Sequence, residues 1–298
     1  MNNIYFFIII IFIIYLIFTI SNYVNINSFP KNIWIYWDTS KTNKLSPTVQ
    51  FCIENIKYLK KDWKINFLTN KNINRYIKNN RILNILNSEE KSNFKSDLIR
   101  LYLIYNYGGV YLDASICLFT SLDWVPKKIN NKQKILIYKN PLSDEIANVY
   151  ESWFIAAYPK NNIIKIWLDM FLNSLENGPT HSYKQIMTNN LLRKQKFSKV
   201  PMHNEYYLVY FIFIQSQLLY PQINKNIISL DCNKNIYPCR AIFGVEYFTE
   251  LFTKPISYSE FNKIKEYKLV KYTRFSRIEI DKINAKYNKD SFFYKLYR

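Results

Sequence analysis

The chain has 298 residues, 49% hydrophobic and 18% aromatic, which excludes disorder as the dominant state and supplies apolar area for one large or two small domains. Gly 4, Pro 10 and Cys 4 are too few for a collagen, a disulfide scaffold or a Gly/Ser linker protein. Lys and Arg outnumber Asp and Glu by 41 to 22, a net charge of +19 that favours anionic ligands; the basic residues are scattered, with no zinc-finger or RNA-binding signature, so no specific nucleic-acid partner is expected.

Residues 1–24 carry no charged side chain, and Ile4 to Ile20 is apolar apart from Tyr5, Tyr15 and Thr19. As a helix that run reaches about 26 Å, near the lower limit for crossing a bilayer. It predicts an anchor over residues 1–24 and a single-pass membrane protein, with a cleaved signal peptide as the alternative. Lys31, Lys41 and Lys44 all follow the span. Positive-inside bias then favours the cytosolic side, and the lack of any Asn-x-Ser/Thr triplet points weakly the same way; the side is left open.

Residues 32–37 (NIWIYW) alternate and predict a strand. Pro47 to Lys60 predicts a helix, with Ser46 as N-cap and Pro47 at the first helical position. Lys64 to Thr69 is a second strand and Asn72 to Asn79 a short helix. That alternation predicts an α/β domain with a parallel sheet and covering helices. A helix–strand unit occupies 92–113. Lys134–Lys139 and Ser152–Tyr158 read as strands, and Asn162–Leu175 and Glu205–Leu219 as helices, the latter apolar enough to be buried. A strand over Ile227–Leu230, a helix over Tyr258–Tyr267 and a basic tail close the chain. No linker divides residues 25–298, which read as one domain.

Cys52 and Cys117 lie in apolar stretches and are expected as buried thiols. Cys232 and Cys239 are near enough in sequence to pair in an oxidising compartment, which spacing alone does not decide. No Cys/His spacing resembles a zinc site.

Residues 96–115 read SDLIRLYLIYNYGGVYLDAS. Phe94, Leu98, Leu101, Tyr102 and Tyr105 recur at helical spacing, and Asp97 and Arg100, three apart, share a helical face. Gly108 or Gly109 ends the helix, because that position favours a left-handed backbone. Val110 to Leu112 form a very short strand. It delivers Asp113 to a carboxyl end, where open α/β sheets place their ligands. A carboxylate there can hold Mg²⁺ or Mn²⁺ against a diphosphate, or accept a sugar hydroxyl. The plainer alternatives are an exposed ion pair for Asp97 and Arg100 and a turn residue for Asp113.

This stretch resembles the signature of the DXD-containing sugar transferases: the capsular polysaccharide synthesis proteins and, more distantly, the family-32 mannosyltransferase-like enzymes and the glucosylating clostridial toxins. Two further blocks share the resemblance in order and spacing: Pro30-Lys31-Asn32-Ile33-Trp34 through Trp37, and Ser152-Trp153-Phe154-Ile155-Ala156 followed by Pro159. Together they cover roughly residues 29–220, and Lys268-Leu269 echoes a closing Lys-Leu. The resemblance implies a GT-A fold, in which a Rossmann-like nucleotide-binding half joins an acceptor-binding half. It implies a nucleotide-sugar donor, a glycan, protein or lipid acceptor, and retention of anomeric configuration.

By the same resemblance, Trp37 flanks the nucleobase, Asp97 and Arg100 contact the donor sugar, and Gly108, Gly109 and Tyr111 belong to the nucleotide pocket. Asp113 contacts the ribose and the metal region. The second acid of the pattern is replaced by Ser115, a neutral and weaker ligand for Mn²⁺ or Mg²⁺. Lys268, Lys271, Arg274 and Arg277 of the basic tail offer compensation by reaching the diphosphate. Asp144, Glu145 and Glu151 lie between strands in a stretch that could face the acceptor, with solvated loop acids as the plainer reading. The rival expectation, favoured by Ser115, is an inactive sugar- or nucleotide-binding relative.

Overall fold

The computed structural model describes residues 11–13, 15, 28–40, 44–88, 90–140, 148–188, 205–235, 249–282 and 288–298. Among them, β1 (Asn32–Tyr36), β2 (Lys64–Leu68), β3 (Gly109–Leu112), β5 (Ile135–Lys139), β6 (Tyr150–Ala157) and β7 (Ile227–Asp231) form a six-stranded sheet in the order β2-β1-β3-β6-β5-β7. Two short strands, β4 (Ile116–Leu118) and β8 (Leu269–Lys271), make a separate antiparallel ribbon.

The sheet is mixed rather than parallel. β1 runs parallel to β2 and β3, but β6 lies antiparallel to both β3 and β5. The strand expected over Ser152–Tyr158 forms, starting two residues earlier. Its apolar sequence fits a central position in either direction, so direction was not legible in its composition.

Alternation along the strands sorts the core into two layers. Trp34, Tyr36, Tyr111, Ile135, Ile137 and Ile155 face one side, where the helices Ser92–Tyr107, Asn162–Glu176 and Leu208–Leu219 pack. Ile33, Ile35, Val110, Leu112, Leu136 and Phe154 face the other, beside the Pro47–Leu59 helix. That helix begins as expected, with Pro47 in its first turn and the Ser46 hydroxyl accepting from the Val49 N–H. A third apolar cluster joins it to the C-terminal segment through Phe51, Cys52, Cys117, Phe252, Tyr272 and Phe293. The Cys52 and Cys117 thiols are buried, with their sulfurs 3.2 Å apart. Cys239 lies outside the described residues.

Two helical expectations are corrected. Asn72–Asn79 contains only a single 3₁₀ turn, Ile73–Arg75. The helix starts later, at Asn80–Asn87, because the Asn79 side chain caps it by accepting from the Ile82 N–H at 3.2 Å. Glu205–Tyr207 is likewise a 3₁₀ turn that precedes the Leu208–Leu219 helix. The basic tail holds β8 and the Arg274–Lys282 and Phe292–Leu296 helices.

The single-pass membrane assignment is also corrected. Among the described residues no helix is long and apolar enough to cross a membrane. Of the apolar run Ile4 to Ile20, residues 11–13 and 15 are described and helical, and the rest lies outside the described residues.

The turn from the Ser92–Tyr107 helix into β3 sets where the site will form. Gly108 ends the helix at φ +63, its N–H bonded to the Ile104 carbonyl at 3.0 Å and its carbonyl accepting from Trp34 Nε1 at 2.8 Å. Gly109 sits at φ +96, and a Cβ there would lie 2.4 Å from the Asn32 carbonyl oxygen. Only glycine lets β3 approach the start of β1 so closely. Gly109→Ala is therefore expected to destabilise the fold by about 2 kcal/mol or more, read as a lower midpoint of chemical denaturation; an unchanged midpoint would show that the β1–β3 approach tolerates a side chain.

Candidate active site

A cleft of about 400 Å³ opens at the carboxyl ends of β1 and β3. Trp37 and Asp38 directly follow β1 and Asp113 directly follows β3, and all three line it. The position of Asp113 is fixed by its own N–H, which extends the β3–β6 ladder by donating to the Trp153 carbonyl at 3.0 Å. From the Ser92–Tyr107 helix come Ser96, Asp97 and Arg100, from β6 Ser152, and from the C-terminal segment Lys271 and Arg277.

Arg100 organises the floor. Its Nη1 lies 2.8 Å from Asp97 Oδ1 and its Nη2 lies 3.0 Å from Asp113 Oδ1. Nη1 also donates to the Ser152 hydroxyl, and Nη2 donates to Ser96 Oγ at 3.0 Å. The guanidinium stacks against the Tyr111 ring, 4.9 Å from its centroid. Asp97 is 5% exposed and Arg100 6%, so the exposed i,i+3 pair weighed from the sequence is instead a buried one. Buried charges of this kind persist only when paired and hydrogen-bonded.

The two carboxyls titrate apart. Burial pushes Asp97 up to about 6, outweighing the opposing pull of Arg100. Burial also opposes ionisation of Asp113, but Lys271 and Arg100 together outweigh it and hold this acid below the usual carboxylate range. Lys271 Nζ is ion-paired directly with Asp113 Oδ2. Burial lowers the guanidinium of Arg100, yet Asp97 and Asp113 raise it further and keep it charged.

The structure brings Trp37, Asp97, Arg100, Asp113 and Ser115 onto one cleft wall. It does not place Gly108, Gly109 or Tyr111 there. Tyr111 is fully buried behind Arg100, its hydroxyl 3.4 Å from Ser96 Oγ, and the glycines shape backbone rather than lining. Of the tail residues, Lys271 and Arg277 reach the cleft, whereas Lys268 does not and instead accepts the Phe119 N–H at its carbonyl. The Arg274 side chain, Asp144 and Glu145 lie outside the described residues.

Glu151 is not a loop acid. It sits in β6, 7% exposed, accepting from Asn140 Nδ2 at 2.6 Å and from the Tyr210 hydroxyl at 3.2 Å. Burial raises its pKa. Sequence reasoning also missed Asp38, Tyr206 and Tyr210 on the cleft wall. Asp38 had a signal, since it directly follows Trp37 at a strand's carboxyl end. The two tyrosines had none, because only tertiary packing carries them to the site.

The residues present do not fit a tightly held Mn²⁺ or Mg²⁺. Such ions seek several hard oxygen ligands, usually including carboxylates. Here Asp113 gives one oxygen to Arg100 and the other to Lys271, and Ser115 is neutral. Among the described residues no group of three or more His, Cys, Asp or Glu side chains could hold a metal.

Comparison with known proteins adds three findings. A family model described as "Capsular polysaccharide synthesis protein" matches residues 12–206. The chain is 26% identical over 164 residues to "Glycosyltransferase afumC" of Aspergillus fumigatus, covering 50% of this chain and 41% of that protein. It is 28% identical over 169 residues to "O-glycosyltransferase braB" of Annulohypoxylon truncatum, covering 51% and 39%. The chain thus spans about two-fifths of the length of these curated relatives. Among solved structures, the UDP-bound glycosyltransferase domain of the YGT toxin is similar at a TM-score of 0.46 and 8% identity, over 68% of this chain and 80% of that one; a likeness of this size bears on neither activity nor ligand.

The raised pKa of Asp97 has a signed consequence for stability. Between the unfolded value of about 3.9 and about 6 in the fold, the native state binds more protons than the unfolded one. The contribution of Asp97 is therefore fully present below that window and is lost as pH rises through it. Asp97→Asn should remove this slope, so that the stability margin of the wild type over the variant shrinks from pH 4 to pH 7 in denaturation series. A margin that stays flat or grows would mean that Asp97 ionises freely in the fold.

Proposed function

The chain belongs to the capsular polysaccharide synthesis protein family, and from that premise we propose that it is a glycosyltransferase of GT-A type. It moves a sugar from a nucleoside-diphosphate donor to a hydroxyl of a glycan, protein or lipid acceptor, with retention at the anomeric carbon. The single observation that carries this reading is the convergence of Asp97, Arg100 and Asp113 on one cleft at the carboxyl ends of β1 and β3, the place where open α/β sheets hold ligands. The printed names of the two fungal relatives, both glycosyltransferases, support it.

The roles that the resemblance suggests for these residues are compatible with their geometry. Trp37 offers a flat face for a nucleobase, with the Arg277 guanidinium 5.7 Å from its ring. Asp113, partly exposed and held ionised by Lys271 and Arg100, accepts hydrogen bonds from hydroxyls of the ribose or sugar. Asp97 and Arg100 lie one helix behind and grip the sugar from the side. During transfer the bond from the anomeric carbon to the diphosphate breaks, and its electron pair stays on the phosphate oxygen. The acceptor oxygen forms the new bond and its proton passes to the departing diphosphate. Preorganised cations aimed at that developing charge accelerate the step.

One observation favours a second reading, a sugar- or nucleotide-binding relative without turnover: the neutral Ser115 stands where the motif carries its second acid. A panel of UDP- and GDP-sugars separates the two. With the purified full chain, release of UDP or GDP from at least one donor is expected, and Asp113→Asn should lower that release by about 100-fold while the denaturation midpoint stays close to the wild type. Wild-type rates in the variant would remove Asp113 from the mechanism, and no release from any donor would favour the binding relative.

A further inference from the structure

We propose that Lys271, assisted by Arg277, stands in for a divalent cation in this cleft, so that the donor's diphosphate is bound and released as leaving group without a metal ion. The inference rests on the nucleotide-sugar reading above and concerns how that site neutralises its ligand.

The placement of Lys271 is built into the fold. β8 pairs antiparallel with β4, with Lys271 opposite Ile116, and the next N–H, that of Tyr272, donates to the Ser115 carbonyl at 2.9 Å. The lysine is thereby fixed alongside residue 115, the position at which the sequence lacks an acid. Its ammonium is ion-paired with Asp113 and lies 5.6 Å from the Trp153 ring centroid. An ammonium has three N–H donors, and the bond to Asp113 uses one. The side chain is 23% exposed and on the cleft wall, so a phosphate entering the cleft meets the remaining donors.

The charge count agrees with this placement. Replacing a carboxylate by Ser115 removes one negative charge, and Lys271 adds one positive charge. The sum is the charge that a Mg²⁺ or Mn²⁺ would have brought. A dication at Asp113 would also lie against two side chains that already neutralise that acid, Arg100 and Lys271. Displacing either would strand its charge, and for the buried Arg100 that cost is high. When the anomeric C–O bond breaks, the electron pair left on the diphosphate is stabilised by hydrogen bonds from Lys271 and Arg277.

The test is calorimetric titration of UDP, GDP, CDP and ADP into the full chain, once with EDTA and once with MnCl₂. At least one nucleotide is expected to bind with the same Kd, within about twofold, in both conditions. Lys271→Met should weaken it about tenfold, and Lys271→Arg, which keeps the charge, should restore most of the loss. Electron paramagnetic resonance of the wild type with nucleotide and Mn²⁺ should show only free Mn²⁺. Binding that requires Mn²⁺, a bound-Mn²⁺ signal, or full affinity in Lys271→Met would each overturn the proposal while leaving the nucleotide-sugar reading in place. Binding of no nucleotide in either condition would overturn both.

Discussion

One buried guanidinium holds the site together. Arg100 reaches from the Ser92–Tyr107 helix to the end of β3, bridging Asp97 and Asp113 with separate nitrogens. It ties a helix to a strand through charge in an apolar surrounding, where leaving either partner alone would be costly. Helix, turn and strand therefore have to meet at fixed distances. The two glycines between them provide that fit, Gly108 by ending the helix and Gly109 by letting β3 lie against β1. The cleft is thus a consequence of how one helix–strand unit is closed and not a feature added to a finished fold.

Much of this unit was legible in the sequence. The helical stripe, the glycine stop and the acid at the strand end are local features, set by residues within about four positions of one another. β1 and β2 were legible for the same reason. The direction of β6 was not, since a strand buried on both faces shows no alternation to orient it. β4 and β8 are three residues each, too short for any period to register. Tyr111 lies in the motif, which points it to the nucleotide pocket, but strand alternation turns its ring under Arg100 instead.

The acids divide in the same way. Asp97 and Asp113 were found because they sit in a patterned stretch. Glu151 looks like a loop acid in the sequence, yet it occupies a strand, where Asn140 and Tyr210 satisfy both of its oxygens. Those partners come from elsewhere in the chain, so nothing near Glu151 announced that it would be buried. The basic tail is legible only as a group: Arg277 reaches the cleft from the Arg274–Lys282 helix, and Lys271 through the β4–β8 register. Lys268, just before β8, does not line the cleft.

The join between Lys271 and Asp113 spans 158 positions. Asp38, Asp97, Arg100 and Asp113 all precede β4, whereas Lys271 and Arg277 come from β8 and the helix after it. Taken by themselves, Asp38, Asp97 and Asp113 face Arg100 alone, an excess of negative charge. Lys271 and Arg277 offset it, so the charge balance of the cleft depends on a ribbon built from two distant stretches of chain.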